Sequence, residues 1–237
     1  MSEEEFSLID PPLLIRSEIE NIVGTKINDI SFYQRAFTHK SALKKFTLNE
    51  SFETLEFMGD SVLGFIITKM LFDKYEKKQE GFLTKARTKL VRGKTLAHVA
   101  RHLNLDKWIL MDDKGMRNEW NKNEKVLEDT FEAFVGAIYL DLGMVHTKKF
   151  ILDIFQNNKI INMDDLLIDD NYKDQLMRWC QAKKIDLPQY PIISHQNCVF
   201  NISVLVSNEI LGYGSAKNKK QAEQYAAFQA LNALNVT

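Results

Sequence analysis

Five acidic side chains on two apolar segments of helical period carry the strongest chemical signal in this chain. Glu53, Glu56 and Asp60 fall in the stretch from Phe52 to Tyr75, and Asp129 and Glu132 in the stretch from Val126 to Leu140. At about 100° per residue, the first three project within about 60° of one another on one helix. Asp129 and Glu132 sit one turn apart on a second helix. Their neighbours are Leu55, Phe57, Val62 and Leu63 in the first segment and the run FEAFVGAIYL in the second. One such acid alone is ordinarily a solvated helix face. The set resists that reading, because charges embedded among apolar groups are costly unless paired or bound to a metal. A divalent cation resolves the repulsion. Magnesium accepts several carboxylates, keeps waters and takes phosphate oxygens. Two facing acidic stripes therefore predict metal-dependent hydrolysis of a phosphodiester, with ions that activate water and stabilise the leaving oxygen.

Those acids need elements to hold them. Apolar residues recur at three- and four-residue steps in Ile15–Val23, Tyr33–Leu43, Phe52–Tyr75, Leu83–Leu103 and Val126–Leu140, so almost all of the chain from about Arg16 to Phe155 is expected to be helical. Met111–Asn123 is polar and contains glycine, and is expected to be a surface loop. Gly59, Gly64 and Gly136 lie inside helical segments, where each costs about 1 kcal/mol relative to alanine. A close helix contact or a backbone approach to a ligand accounts for them. Gly59-Asp60-Ser61-Val62 looks like an esterase nucleophile motif, but it lies inside a helix and lacks a His/Asp partner.

The pattern changes after residues 164–170, which hold four aspartates and no base. Tyr172–Lys183 has helical period, and Pro188 and Pro191 punctuate the stretch beyond it. Tyr190–His195, Val199–Ser207 and Glu209–Tyr213 are expected strands, the last two joined by a tight Ser207-Asn208 turn. Lys219–Leu234 is an alanine-rich helix. The fold class is thus an all-α domain over residues 1–160, an acidic linker over 161–170, and a small α-β-β-β-α domain over 171–237.

Composition sets the remaining bounds. Hydrophobic residues make up 45% and charged residues 27% of 237 positions, enough for a core in each domain. The net charge is −1 overall, yet residues 171–237 carry seven Lys/Arg against four Asp/Glu. A basic module behind an acidic joint favours a polyanion partner. The two cysteines, Cys180 and Cys198, are expected to pack as reduced thiols. The start MSEEEFSLIDPP has no signal-peptide core, and no apolar run approaches membrane-spanning length. A soluble, intracellular protein, cytoplasmic or nuclear, is expected, with no membrane association and no small-molecule cofactor.

At the acidic segments the chain resembles the ribonuclease III family. Asn49–Leu63 is similar to that family's signature helix and Lys125–Asp141 to its second acidic helix. Ala36-Phe-Thr-His-Lys-Ser41 matches a helix upstream, and Glu80–Thr84 with Leu90–Leu96 matches the segment between. The resemblance implies that Glu56, Asp60, Asp129 and Glu132 are catalytic, metal-binding acids for Mg²⁺, with Mn²⁺ as a substitute. It adds Glu53 and Glu80 near the cleavage valley and dimer contact, and Lys125 as a partner for a carboxylate or phosphate oxygen. It also implies a homodimer whose two sites flank one groove for duplex RNA, each cutting one strand to leave 5′ phosphates and short 3′ overhangs.

The final module resembles a double-stranded-RNA-binding domain, most clearly over Gly214–Ala227. The resemblance gives Lys217, Lys219 and Lys220 the role of phosphate contacts at the start of the last helix. His195 is the expected minor-groove residue, although it lies one place out of register and Gln196 takes the matching position. Met177, Arg178 and Ala216 also depart from the family's pattern, so shape-specific, salt-sensitive binding is expected. The expected function is cleavage of double-stranded RNA. The alternative is a protein of the same fold that binds or sequesters duplex RNA without cutting it.

Overall fold

In the computed structural model, residues 14–156, 160–163, 167 and 170–236 are described. The segment MSEEEFSLIDPP and half of the expected acidic linker lie outside them. The chain divides into two compact units, residues 1–167 and 168–237.

The first unit is helical, as its periodicity predicts. Its described helices are α1 (Arg16–Val23), α2 (Ile30–Ala36), α3 (Ala42–Lys45), α4 (Glu53–Lys74), α5 (Glu80–Val91), α6 (Gly93–His102), α7 (Asp113–Arg117) and α8 (Glu124–Phe155). Helix α8 is the hub, and α4, α6 and α2 all pack against it. The core between them contains Leu55, Leu63, Ile67, Leu96, Phe131, Phe134 and Ile138, each 2% exposed or less. Burial of one such side chain contributes about 1.5–3 kcal/mol. Asn123 starts α8 by accepting the Lys125 N–H at 2.9 Å, which satisfies one of the helix's unpaired first-turn donors. The helix expected over Val126–Leu140 breaks at Gly143, whose φ of +76° is non-helical, and a further helical stretch runs on to Phe155.

Three expectations need correction. The helix expected over Tyr33–Leu43 stops at Ala36. The chain then pairs with Leu110, through His39 N–H to Leu110 O at 3.0 Å and Leu110 N–H to Phe37 O at 2.8 Å. Those bonds satisfy the backbone in place of a helix, so Ala36–Ser41 is mostly a connector. The segment Leu83–Leu103 is two helices, separated at Arg92 by its extended ψ of 147°. Met111–Asn123 is not all loop: Asp112 accepts the Gly115 N–H at 2.7 Å and caps a turn of helix, α7.

The second unit has the expected order. Helix α9 (Tyr172–Lys183) precedes β1 (Ile192–Gln196), β2 (Val199–Val206) and β3 (Glu209–Ala216), and α10 (Lys219–Ala233) closes the chain. The sheet is antiparallel in the order β1-β2-β3. Both hairpins turn on two residues of positive φ, Asn197-Cys198 and Ser207-Asn208, the conformation that matches strand twist. Ala222, Ala226 and Ala230 let α10 approach β3 closely, so that backbone atoms of α10 meet Gly212 and Gly214. Cys180 is buried in this core, but Cys198 stands exposed in a turn, contrary to the expectation that both pack. Among the described residues no helix is long and apolar enough to cross a membrane.

Candidate active site

The crossing of α4 and α8 makes the site. A Cβ on Gly59 would lie 1.7 Å from the backbone oxygen of Glu132, and one on Gly136 would lie 2.3 Å from that of Leu55. The two helices therefore touch backbone to backbone, and only glycine fits at either position. Gly64 serves no such purpose, since nothing lies within 4 Å of where its Cβ would be. The close crossing brings Glu56 of α4 against Asp129 and Glu132 of α8. Each of the three offers a carboxylate oxygen within 4.8 Å of the others.

Burial and crowding set the electrostatics. Glu132 is 7% exposed. Its pKa is pushed up to about 8, first by burial and then by the charges of Asp60, Glu128 and Glu56, with Lys125 opposing. Glu56 is raised as well, by burial and then by the charge of Asp129. Lys125 is the neighbouring cation, 2.7 Å from Asp129 Oδ1 and 3.5 Å from Glu128. Desolvation lowers its pKa, but Asp129, Glu128 and Glu132 outweigh that and hold it above the usual lysine range. Asp129 Oδ1 is itself buried, and Lys125 is the cation that faces it.

Three carboxylates drawn together beside a single lysine, two of them with their ionisation opposed, fit a hard divalent cation better than they fit a salt bridge. One lysine cannot neutralise three acids. Oxygen-only ligands from Glu56, Asp129 and Glu132, with water or phosphate completing the shell, suit Mg²⁺ or Mn²⁺.

The other expected residues lie around this centre. Asp60 is exposed and outside the three-residue group, but close enough for its charge to act on Glu132. Glu53 is drawn the other way, 3.3 Å from Lys40 and accepting from Ser51 Oγ at 3.2 Å. Glu80 is exposed at the start of α5 and accepts from Thr84 Oγ1. Ser61 of the esterase-like motif donates to Phe57 O at 3.2 Å inside α4, which leaves it no activating base.

Two neighbours are not singled out by the sequence pattern. His39 stands beside Phe52 with its Nδ1 accepting the Ser41 N–H at 3.1 Å. Burial keeps the imidazole below the usual histidine pKa, against the raising influence of Asp112, Glu53 and Asp129. Glu128 adds a further acid three residues after Lys125; its signal is present in the run KVLEDTFE, next to the more conspicuous pair.

In the second unit, Lys217, Lys219 and Lys220 are exposed at the start of α10, where Asn218 caps the helix by accepting the Lys220 N–H at 2.8 Å. His195 lies flat on Phe200, with ring centroids 3.9 Å apart, at the base of the exposed Gln196-Asn197-Cys198 tip.

Comparison with known proteins agrees with both units. Residues 29–158 match the Ribonuclease-III-like family, and residues 172–234 match the double-stranded RNA binding motif. The chain is 36% identical to putative protein A464R of Paramecium bursaria Chlorella virus 1, over 94% of this chain and 81% of that protein. It is 33% identical to ribonuclease 3 of a Wolbachia of Brugia malayi, over 93% and 92%. The nuclease domain of ribonuclease III from Campylobacter jejuni superposes with a TM-score of 0.57 at 34% identity, covering 62% of this chain and all of that one. The acidic crossing, the α-β-β-β-α unit behind it and these likenesses agree: the chain belongs to the ribonuclease III family of double-strand-specific endoribonucleases.

Proposed function

We propose that this chain cleaves double-stranded RNA with Mg²⁺ as a homodimer, leaving 5′ phosphates and short 3′ overhangs. The observation that carries the reading is the convergence of the Glu56, Asp129 and Glu132 carboxylates, each with an oxygen within 4.8 Å of the others, at the crossing of α4 and α8. In this reading residues 1–160 are the nuclease domain, 161–170 the linker and 171–237 the RNA-binding domain.

Glu56, Asp129 and Glu132 hold the cation, and Asp60 adds negative charge at the open side. A divalent cation held by these residues would supply Lewis-acid activation of water and charge stabilisation for phosphodiester hydrolysis. Lys125 stands at the rim as the cation available to a phosphate oxygen. Glu53 and Glu80, both exposed and off the centre, act on the groove and the dimer contact. The dimer reading is supported by Phe57, Phe65 and Phe72, exposed at 77%, 62% and 63% on the side of α4 that faces away from the core. The Campylobacter jejuni nuclease domain is described as having a region involved in dimer formation. Incubation of the protein with duplex and single-stranded RNA, with Mg²⁺ or EDTA, tests the reading. Cutting of duplex alone, only with Mg²⁺ and with 5′-phosphorylated ends, is expected from a species that sediments as a dimer. Cutting in EDTA, or by a strict monomer, refutes it.

Lys217, Lys219 and Lys220 make the phosphate contacts, with His195 and Gln196 at the hairpin tip towards the minor groove. None of the three lysines forms an ion pair among the described residues, so all are available to a polyanion. Changing Lys219 and Lys220 to alanine is expected to weaken duplex binding and to reduce the slope of log K against log salt by about 0.9 for each phosphate no longer neutralised. A titration between about 50 and 200 mM salt checks it. An unchanged slope moves the RNA contact elsewhere.

A further inference from the structure

Lys125 has two acidic neighbours on its own helix, and they differ in what else they do. Asp129 is 2.7 Å away and belongs to the three-carboxylate group. Glu128 is 3.5 Å from the same ammonium and is not one of the three. Its side chain is only 21% exposed, although a glutamate on a helix surface normally extends into water. The neighbouring helix accounts for this. A Cβ on Gly93 would lie 2.4 Å from Glu128 Oε2 and 2.8 Å from its Cδ. The carboxylate thus occupies space that any other residue at position 93 would fill. Gly93 is also the first residue of α6, where unpaired N–H groups and the helix dipole favour a negative charge.

We propose that Glu128 is a positioning residue: seated against Gly93, it anchors the Lys125 ammonium at the rim of the carboxylate group independently of Asp129. The proposal rests on the reading of Glu56, Asp129 and Glu132 as the metal-holding set. An ammonium and a divalent cation compete for the Asp129 carboxylate. Glu128 gives Lys125 a second anchor, so Lys125 can release Asp129 to the cation and still stay within the site. Without Glu128 the lysine has only Asp129 to hold, and it blocks the position the cation needs.

A double-mutant cycle on the full chain tests this, with Glu128→Gln, Lys125→Met and both together. Mn²⁺ affinity is measured by calorimetry without RNA, and kcat and KM on duplex RNA are measured separately. Glu128→Gln is expected to lower Mn²⁺ affinity about 10-fold, the scale of residues that orient metal ligands, and to lower kcat with little change in KM. In the Lys125→Met background the same substitution should change affinity by less than about 2-fold, since its effect runs through the lysine. Equal losses in both backgrounds mean that Glu128 acts by its own charge, and overturn the proposal. No loss in either also overturns it. Gly93→Ala keeps every charge but displaces the carboxylate, and should reproduce the Glu128→Gln loss in a protein with an unchanged circular-dichroism spectrum. Native affinity in that variant means that the seat at Gly93 does not hold the carboxylate, and refutes the proposal. Failure of Mn²⁺ to bind the unsubstituted chain overturns the metal reading itself, and the positioning role falls with it.

Discussion

Glu132→Gln is expected to abolish cleavage of long duplex RNA while making the metal-free protein more stable above neutral pH. Glutamine keeps the shape of the side chain and removes its charge. Charge stabilisation by a bound cation is worth several kcal/mol in the transition state, and at about 1.4 kcal/mol per factor of ten its loss slows cleavage by roughly 10³-fold or more. Duplex binding should be nearly unchanged, because the lysines proposed to contact the RNA lie in the other unit. Single-turnover cleavage and filter binding on the same preparation check both halves. Undiminished cutting refutes the role of Glu132.

The stability gain has its origin in the same geometry. The folded-state pKa of about 8 lies above the ordinary 4.5 of a glutamate. Between those values the folded protein keeps a proton that the unfolded chain has released. The stability linked to that proton is full below about pH 4.5 and is lost as pH rises through about 8. Above that pH the unsubstituted protein must hold a buried anion beside Asp60, Glu128 and Glu56, whereas the glutamine variant carries no charge there. Melting in EDTA at pH 5, 6.5 and 8 should therefore show the variant gaining on the unsubstituted protein as pH rises. Added Mn²⁺ should raise the melting temperature of the unsubstituted protein most at pH 8, where, of the three, a proton competes least for the ligand. A difference between the two proteins that stays constant with pH contradicts the assignment of the raised pKa to Glu132.

Much of this site is legible in the sequence because helical geometry is periodic. Glu56, Asp129 and Glu132 stand out as acids on apolar stretches, and the structure brings them together because Gly59 and Gly136 sit about one turn away on the same helices. Sequence spacing does not fix which side of a helix meets its partner. Gly64 carries the same signal as Gly59 and faces open space, and Glu53 shares the stripe with Glu56 but turns to Lys40 and Ser51. Glu128 is the opposite case. An acid at i+3 from a lysine is ordinary on a solvated helix, and only the missing side chain at Gly93, thirty-five residues earlier, draws it inward. The end of α2 is hidden for a similar reason. The bonds that pull Thr38 and His39 out of the helix come from Leu110, and no local pattern announces a partner so distant in the chain. In the second unit, by contrast, the elements are set by alternation, tight turns and alanine content, all of them local, so its order can be read directly.

Gly59→Ala is expected to cost the nuclease unit about 3 kcal/mol or more and to remove its activity. The added methyl would lie 1.7 Å from Glu132 O, 2.6 Å from Glu132 C and 2.9 Å from Gly136 N, all backbone atoms that no rotamer change can move. Alanine's better helix propensity returns about 1 kcal/mol, but overpacking costs about 1–3 kcal/mol and occasionally more. Here α4 and α8 themselves must separate, which loosens the contacts of Leu55, Leu63, Phe131 and Phe134 as well. A loss of about 3 kcal/mol lowers the melting temperature by roughly 6–12 °C for a unit of this size. The separation also parts Glu56 from Asp129 and Glu132, so Mn²⁺ affinity should fall with stability even at temperatures where the variant remains folded. Gly81→Ala is the control, since no atom lies within 4 Å of its added methyl; it should melt within a few degrees of the unsubstituted protein. If Gly59→Ala melts like Gly81→Ala and still binds Mn²⁺ normally, the helices are not held at backbone contact, and the acids that depend on that crossing are not held together by it.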